Sequence, residues 1–240
     1  MTRIFLLFFV TICLSLNAQN KKVYVEYKTV KAISEMQRKL DPELKKGLEI
    51  YVNAIENIEF ELFANDSISI FRKKEKLKSE NQNPLSSILN NGIYYTNIKA
   101  KEKIKSIDMS GEKFNITYVY SEYKWTITQE TKIINGFKCY KATTNREIYS
   151  KTRNKNIITN PKVWFTPEIP LSYGPFGLIG LPGLILEATI NGKLYYYATK
   201  VNLDYKEKPS VKLEKPTKGK FVTESEMEDT QIKPFSGPKL

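Results

Sequence analysis

The stretch VWFTPEIPLSYGPFGLIGLPGLILE, residues 163–187, carries glycine at positions 174, 177, 180 and 183 and ends in Gly180-Leu181-Pro182-Gly183-Leu184-Ile185 before Leu186 and Glu187. Glycine every third residue matches one turn of a polyproline II path. It predicts the four glycines along one edge, with Phe176, Leu178, Ile179, Leu181 and Leu184 projecting elsewhere. Such an edge can approach another backbone closely. Pro170, Pro175 and Pro182 hold their own φ near the polyproline value and push Ile169, Gly174 and Leu181 toward extended geometry, which excludes a helix. The apolar run is shorter than the about 20 residues a spanning helix needs, and its prolines and glycines would leave backbone groups unpaired in lipid. The segment is expected to be an ordered loop of a soluble domain. Its apolar side chains either plug one end of a core, the commoner use of such residues, or line a ligand pocket or partner groove. Trp164 and Phe165 are expected to anchor it. The candidate surface is Trp164, Phe165, Phe176, Leu178, Leu181, Leu184, Glu187 and Tyr196. Gly174, Gly177, Gly180, Pro182 and Gly183 supply the backbone geometry.

Outward from the loop, strand periodicity dominates. Asn135-Gly136 and Asn191-Gly192 predict tight type I′ hairpins, because that turn needs positive φ at both central residues. Around Asn135-Gly136 the pairing sets Ile134 opposite Phe137 and Glu130 opposite Lys141, a favourable cross-strand charge pair. Around Asn191-Gly192 it sets Ile190 opposite Lys193, Ala188 opposite Tyr195 and Leu186 opposite Tyr197. Leu184, Leu186, Ala188 and Ile190 then line one face, while Glu187 and Tyr196 share the other. Upstream, KKVYVEYKTV (residues 21–30) alternates with Val23, Val25 and Tyr27 on one side. IEFELFAND and SISIFRKKE predict a hairpin about Asn65-Asp66. GIYYTNIKAKEKI, FNITYVYS and YKWTITQETKII add further strands rich in aromatic and β-branched residues.

Helical signals are few. Asp41 as N-cap, Pro42 at the first helical position, and Leu44, Leu48 and Tyr51 at helical spacing predict a short helix over residues 41–54. Residues 77–91 read as a polar loop. Beyond Asp204 the chain reads as an extended, solvated connector that ends the β core. Thr223 and Glu226 stand at capping-box spacing for a short helix in TESEMEDTQIK, followed by a frayed tail. The expected architecture is mainly β: a single antiparallel curved sheet or partly open barrel with one or two short helices. Its domains are a signal peptide (1–18), a β domain (19–205) and a C-terminal tail (206–240).

The signal-peptide reading rests on Arg3, the apolar run Ile4 to Leu16, and Asn17-Ala18 before Gln19. Lipidation at Cys13 is disfavoured, since Ile12 stands where a small residue is usual. After cleavage Cys139 is the only cysteine, so no intramolecular disulfide can form. It is expected to be a small buried hydrophobe rather than a nucleophile. The chain has no histidine, which removes the usual general base and the commonest metal ligand, and with them every Ser-His-Asp or Cys-His arrangement. No cofactor, no metal site and no enzymatic activity are expected. Glu168, Glu187 and Asp204 flank the signature, and nothing in their spacing supports either an acid-base role or the binding of a hard cation. The formal net charge is +12, interrupted by acidic residues. It is read as solubility with a weak attraction to anionic envelope surfaces, and no nucleic-acid partner is expected.

Residues 180–185, with Ile169-Pro170, Gly174-Pro175, Trp164-Phe165-Thr166 and the strand Gly136-Phe137-Lys138-Cys139-Tyr140-Lys141-Ala142, resemble the GLPGLI family of exported Bacteroidetes proteins. The resemblance runs from the first mature strand to about Asp204. The chain departs from the family pattern at Gly177-Leu178-Ile179, a near copy of the motif ahead of the motif itself. No biochemical activity is established for that family, and no catalytic residue carries over from it. The resemblance implies export, to the periplasm, the outer membrane or the medium. With the residue reading, it leads to a non-enzymatic envelope module that binds another protein or an apolar ligand through the face around the signature loop. The alternatives are a carrier holding a lipid or other apolar ligand in the sheet's concavity, and an enzyme using carboxylates or Cys139.

Overall fold

The computed structural model describes residues 22–31, 58–75, 92–109, 111–121, 123–205 and 212–232. The expected helix at 41–54 and the polar loop at 77–91 lie outside them. In chain order the strands are β1 (Val23–Lys31), β2 (Glu59–Ala64), β3 (Ile68–Lys73), β4 (Ile93–Asn97), β5 (Glu102–Met109), β6 (Glu112–Thr117) and β7 (Thr126–Ile134). They continue as β8 (Phe137–Thr143), β9 (Arg146–Ser150), β10 (Lys155–Thr159), β11 (Lys162–Thr166), β12 (Leu184–Thr189), β13 (Leu194–Leu203) and β14 (Lys220–Thr223), followed by helix α1 (Glu224–Ile232).

Twelve strands form one open sheet in the order β14-β6-β5-β4-β3-β2-β1-β13-β12-β11-β8-β7, with β9 and β10 as a separate hairpin. The expected curved antiparallel sheet is present, and it does not close into a barrel. Bulges at Glu26/Tyr27, Trp164/Phe165 and Ile127/Thr131 interrupt the ladders and bend the strands that carry them. Alternation in β1 and β2 sends Val23, Val25, Tyr27, Phe60 and Leu62 into the main core, where they meet Leu184, Leu186 and Tyr196. Asn65 closes the β2–β3 hairpin by accepting hydrogen bonds from the backbone N–H of Ser67 and Ile68.

The turns expected at Asn135-Gly136 and Asn191-Gly192 behave differently. Asn135 and Gly136 both take positive φ, 50° and 83°, Ile134 pairs with Phe137, and Lys141 meets Glu130 at 2.8 Å. At Asn191-Gly192 only the glycine has positive φ. The Thr189 hydroxyl accepts from the Gly192 N–H, and the Asn191 side chain accepts from the Lys193 N–H. These local bonds replace the two-residue turn, and the register slips by one: Ala188 pairs with Tyr196 and Glu187 with Tyr197. A one-residue slip exchanges faces, so the expected sharing of a face by Glu187 and Tyr196 is corrected. Tyr196 is buried and Tyr197 exposed.

The sheet does not end at Asp204 either. Leu213 packs on Ile70, Tyr95 and Ile104, and β14 adds a parallel edge strand to β6. Glu226 then caps α1 by accepting from the N–H and hydroxyl of Thr223, whose own hydroxyl accepts from the Glu226 N–H. The hairpin β9–β10, which periodicity did not reveal, holds α1 through Arg146–Glu224, Ser150–Glu228 and Lys151–Asp229. No helix among the described residues is long and apolar enough to cross a membrane.

Candidate functional site

The signature segment leaves β11 at Thr166 and returns as β12 at Leu184. Its path is not polyproline II. Leu171 N–H donates to Ile169 O and Tyr173 N–H to Leu171 O, two successive three-residue turns whose first centre, Pro170, already has a suitable φ. Leu184 N–H then donates to Ile169 O, and Ile185 N–H to Tyr173 O, so the loop takes the place beside β12 that β13 occupies further along. Tyr27 locks this junction by donating its hydroxyl to Ile185 O at 2.7 Å.

A single 3₁₀ turn, Pro175–Gly177, breaks the expected extended path, with φ of 59° at Phe176 and 69° at Gly177. A left-handed phenylalanine is strained. Its ring, however, sits among Tyr196, Phe71, Tyr94 and Phe60, with centroid distances of 4.4, 4.9, 5.4 and 6.2 Å. These edge-on aromatic contacts hold the turn against the inner face of β2, β3, β4 and β13. Gly180, at φ 94°, donates its N–H to the Ser172 hydroxyl, and the Trp125 indole N–H donates to Ile179 O at 2.7 Å. Gly174 and Gly183 serve by lacking a side chain. A Cβ on Gly174 would overlap Ile185, and one on Gly183 would overlap the Thr166 backbone. Pro182 lies exposed beside it.

The candidate residues therefore divide. Phe165, Leu178, Leu181, Leu184 and Tyr196 are buried. Leu178 and Leu181 pack with Phe165, Val163 and Ile185, so most of the loop is core. Trp164, Phe176 and Glu187 are half-buried. Register places Trp164 between Lys141 and Glu187, Glu187 beside Tyr197 and Tyr197 beside Lys28, so Lys141, Trp164, Glu187, Tyr197 and Lys28 form one stripe across five strands. Lys132 completes it, with its ammonium 4.3 Å from the centre of the Trp164 ring system and 2.6 Å from a Glu187 oxygen. Lys132 and Tyr197 were not among the expected site residues. The alternation of β7 placed Lys132 on a definite face, but nothing local marked Glu187 as its partner.

Other chemistry is occupied or quiet. Glu168 accepts the Lys138 N–H, so the two carboxylates flanking the loop serve separate partners. Cys139 is buried in the main core, and burial pushes its thiol up to about 11. Among the described residues no three His, Cys, Asp or Glu side chains group to hold a metal ion.

Residues 125–187 match a family described as "Protein of unknown function (Porph_ging)", a span from Trp125 through the signature loop to Glu187. No curated protein matches the chain. Among solved structures it resembles PNGF-II in two crystal forms, at 16% identity, with TM-scores of 0.56 and 0.55. The match covers 89% of this chain and 33% of theirs, so the chain spans about a third of the length of those proteins. The Mycobacterium tuberculosis lipoprotein LppX aligns at 13% identity with a TM-score of 0.30, over 83% of this chain and 94% of that one.

Proposed function

We propose that the protein is an exported cell-envelope module of the GLPGLI type that binds another envelope protein and catalyses no reaction. Its contact surface is the stripe Lys141, Trp164, Glu187, Tyr197 and Lys28. The observation that carries this reading is the arrangement of that stripe: two aromatic platforms, one of them oriented by Lys132, set between charges of both signs on rigid paired strands. Tryptophan and tyrosine dominate binding energy at protein interfaces, and mixed charge suits a protein surface better than a uniformly anionic polymer. The N-terminal apolar run supports export. The loop itself acts as scaffold, since its apolar residues are spent on the core. An apolar carrier loses ground at the loop, where Phe176 occupies the aromatic enclosure with the chain's own side chain.

Photo-crosslinking in the native envelope tests the proposal, with benzoylphenylalanine at position 197 and, as control, at the more exposed Tyr149 of the β9–β10 hairpin. One adduct of defined mass from position 197, removed by Trp164→Ala and absent from position 149, is expected. An adduct formed equally from both positions, or none from position 197, would overturn it.

A further inference from the structure

A second constellation lies beside Phe176 on the same inner face. Cross-strand pairing sets Thr96 opposite Lys103 and Tyr94 opposite Lys105, and Lys105 opposite Ile116. Two lysines therefore stand where a sheet interior ordinarily carries apolar residues. The Lys103 ammonium is 4.8 Å from the Tyr123 ring centre and 5.9 Å from that of Tyr118, and the Lys105 ammonium is 5.3 Å from that of Tyr94. The phenols of Tyr118, Tyr196 and Tyr123 lie near enough to Tyr94 to add to the upward shift that burial gives it. Lys103 is 5% exposed and Lys105 half-buried, and burial lowers the Lys105 pKa. The Thr96 hydroxyl, on a residue 1% exposed, has no hydrogen-bond partner among the described residues. Among the described residues Lys105 forms no ion pair. The carboxylate whose field it feels, Glu224, is bound to Arg146 at 2.7 Å.

Every polar group in this cluster can donate, and Lys105 carries its positive charge in partial burial, where a cation costs free energy unless an anion joins it. The walls are aromatic or apolar: Tyr94 and Phe176 on one side, and Ile116 and Phe114 under Met227 of α1 on the other. Convergent donors in an apolar setting are the usual form of a small-ligand site. We propose that Lys105 and Tyr94, backed by the Thr96 hydroxyl, bind the anionic group, phosphate or carboxylate, of a ligand whose apolar body lies against the inner face between Phe176 and α1. The site is separate from the outer stripe and does not depend on it.

Titration calorimetry on the full chain tests this, with phenyl phosphate and submicellar dodecyl phosphate as probes and phenol and dodecanol as their uncharged counterparts. At least one phosphate should bind one-to-one, and more tightly than its neutral counterpart. Lys105→Gln should weaken that binding about ten-fold, the loss of roughly one charged contact. Lys105→Arg should retain it, and Lys193→Gln in the exposed β12–β13 turn should leave it unchanged. A thermal melt of Lys105→Gln close to that of the native chain separates lost binding from lost fold. Tighter binding of dodecyl phosphate would identify a lipid-like ligand, and tighter binding of phenyl phosphate a small aromatic anion. If neither phosphate binds, if the neutral probes bind as well, or if Lys105→Gln binds as the native chain does, the site does not exist.

Discussion

Replacing Gly183 by alanine is expected to be among the most damaging single-methyl changes this chain can suffer. The added Cβ would lie 2.5 Å from the Thr166 carbonyl carbon, nearer still to its oxygen, and 2.9 Å from the Pro167 Cα. All three are backbone atoms, so no rotamer change can make room. Relief requires parting β11 from β12 where Thr166 pairs with Leu184, and this loosens Leu184 and Ile185, both fully buried. Partial loss of two such side chains, each worth about 1.5–3 kcal/mol, puts the cost at about 3–5 kcal/mol, in the range that marks a specific structural lesion. Gly180→Ala is the matched comparison. There a Cβ would meet only the Trp125 ring, at 3.5 Å, and the penalty is the left-handed backbone, about 1–2 kcal/mol. Urea unfolding followed by the fluorescence of Trp125 and Trp164, both at the loop, measures the two costs. A melting temperature lower by about 10 °C for Gly183→Ala is expected from roughly 2–4 °C per kcal/mol. If Gly183→Ala costs no more than Gly180→Ala, the close approach of the two strands is not what demands glycine at 183.

Two further outcomes follow from the charges and the thiol. Glu226 is held below the ordinary carboxylate range, first by the Thr223 backbone N–H, and Glu228 by that of Lys151. Their stabilisation of α1 is therefore complete above the unfolded value of about 4.3 and lost as pH falls through the lower folded values. The protection of the amides of 224–232 against hydrogen exchange, taken relative to the intrinsic rate at each pH, should fall on acidification before that of β1 and β2, and an equal fall throughout would refute the assignment. With its thiol pushed up to about 11 by burial, Cys139 should react with a disulfide reagent at pH 8 only at the rate of unfolding. Rapid labelling of the folded chain would show that the thiol is accessible and ionised.

Much of the candidate site was hidden from sequence reading for a definite reason. Trp164 and Glu187 were legible as residues flanking an apolar loop. Their neighbours Lys132 and Tyr197 arrive from strands separated in sequence, and a change of one residue in register decides which of Tyr196 and Tyr197 joins them. At Asn191-Gly192 that register was set by the Thr189 hydroxyl, a side-chain bond that competes with the turn the dipeptide favours. Lys103 and Lys105 lie in a stretch legible only as a strand, and the fold of the sheet turns them inward.

What the sequence determined by itself was the part of the structure that short-range physics settles. The two-residue alternation of β1 and β2, positive φ at Asn135-Gly136, the Asn65 turn and the Thr223–Glu226 cap each depend on contacts a few residues apart, and each stands as local chemistry requires. Tertiary structure decided the rest. A glycine period of three is compatible with polyproline II in isolation, but Phe176 gains four aromatic neighbours only by taking a left-handed turn, and those partners come from β2, β3, β4 and β13. Gly183 is required by the carbonyl of Thr166, seventeen residues earlier in the chain, and β14 returns to the sheet because β6 offers an unpaired edge. Local sequence sets which conformations are cheap; packing against distant strands selects among them.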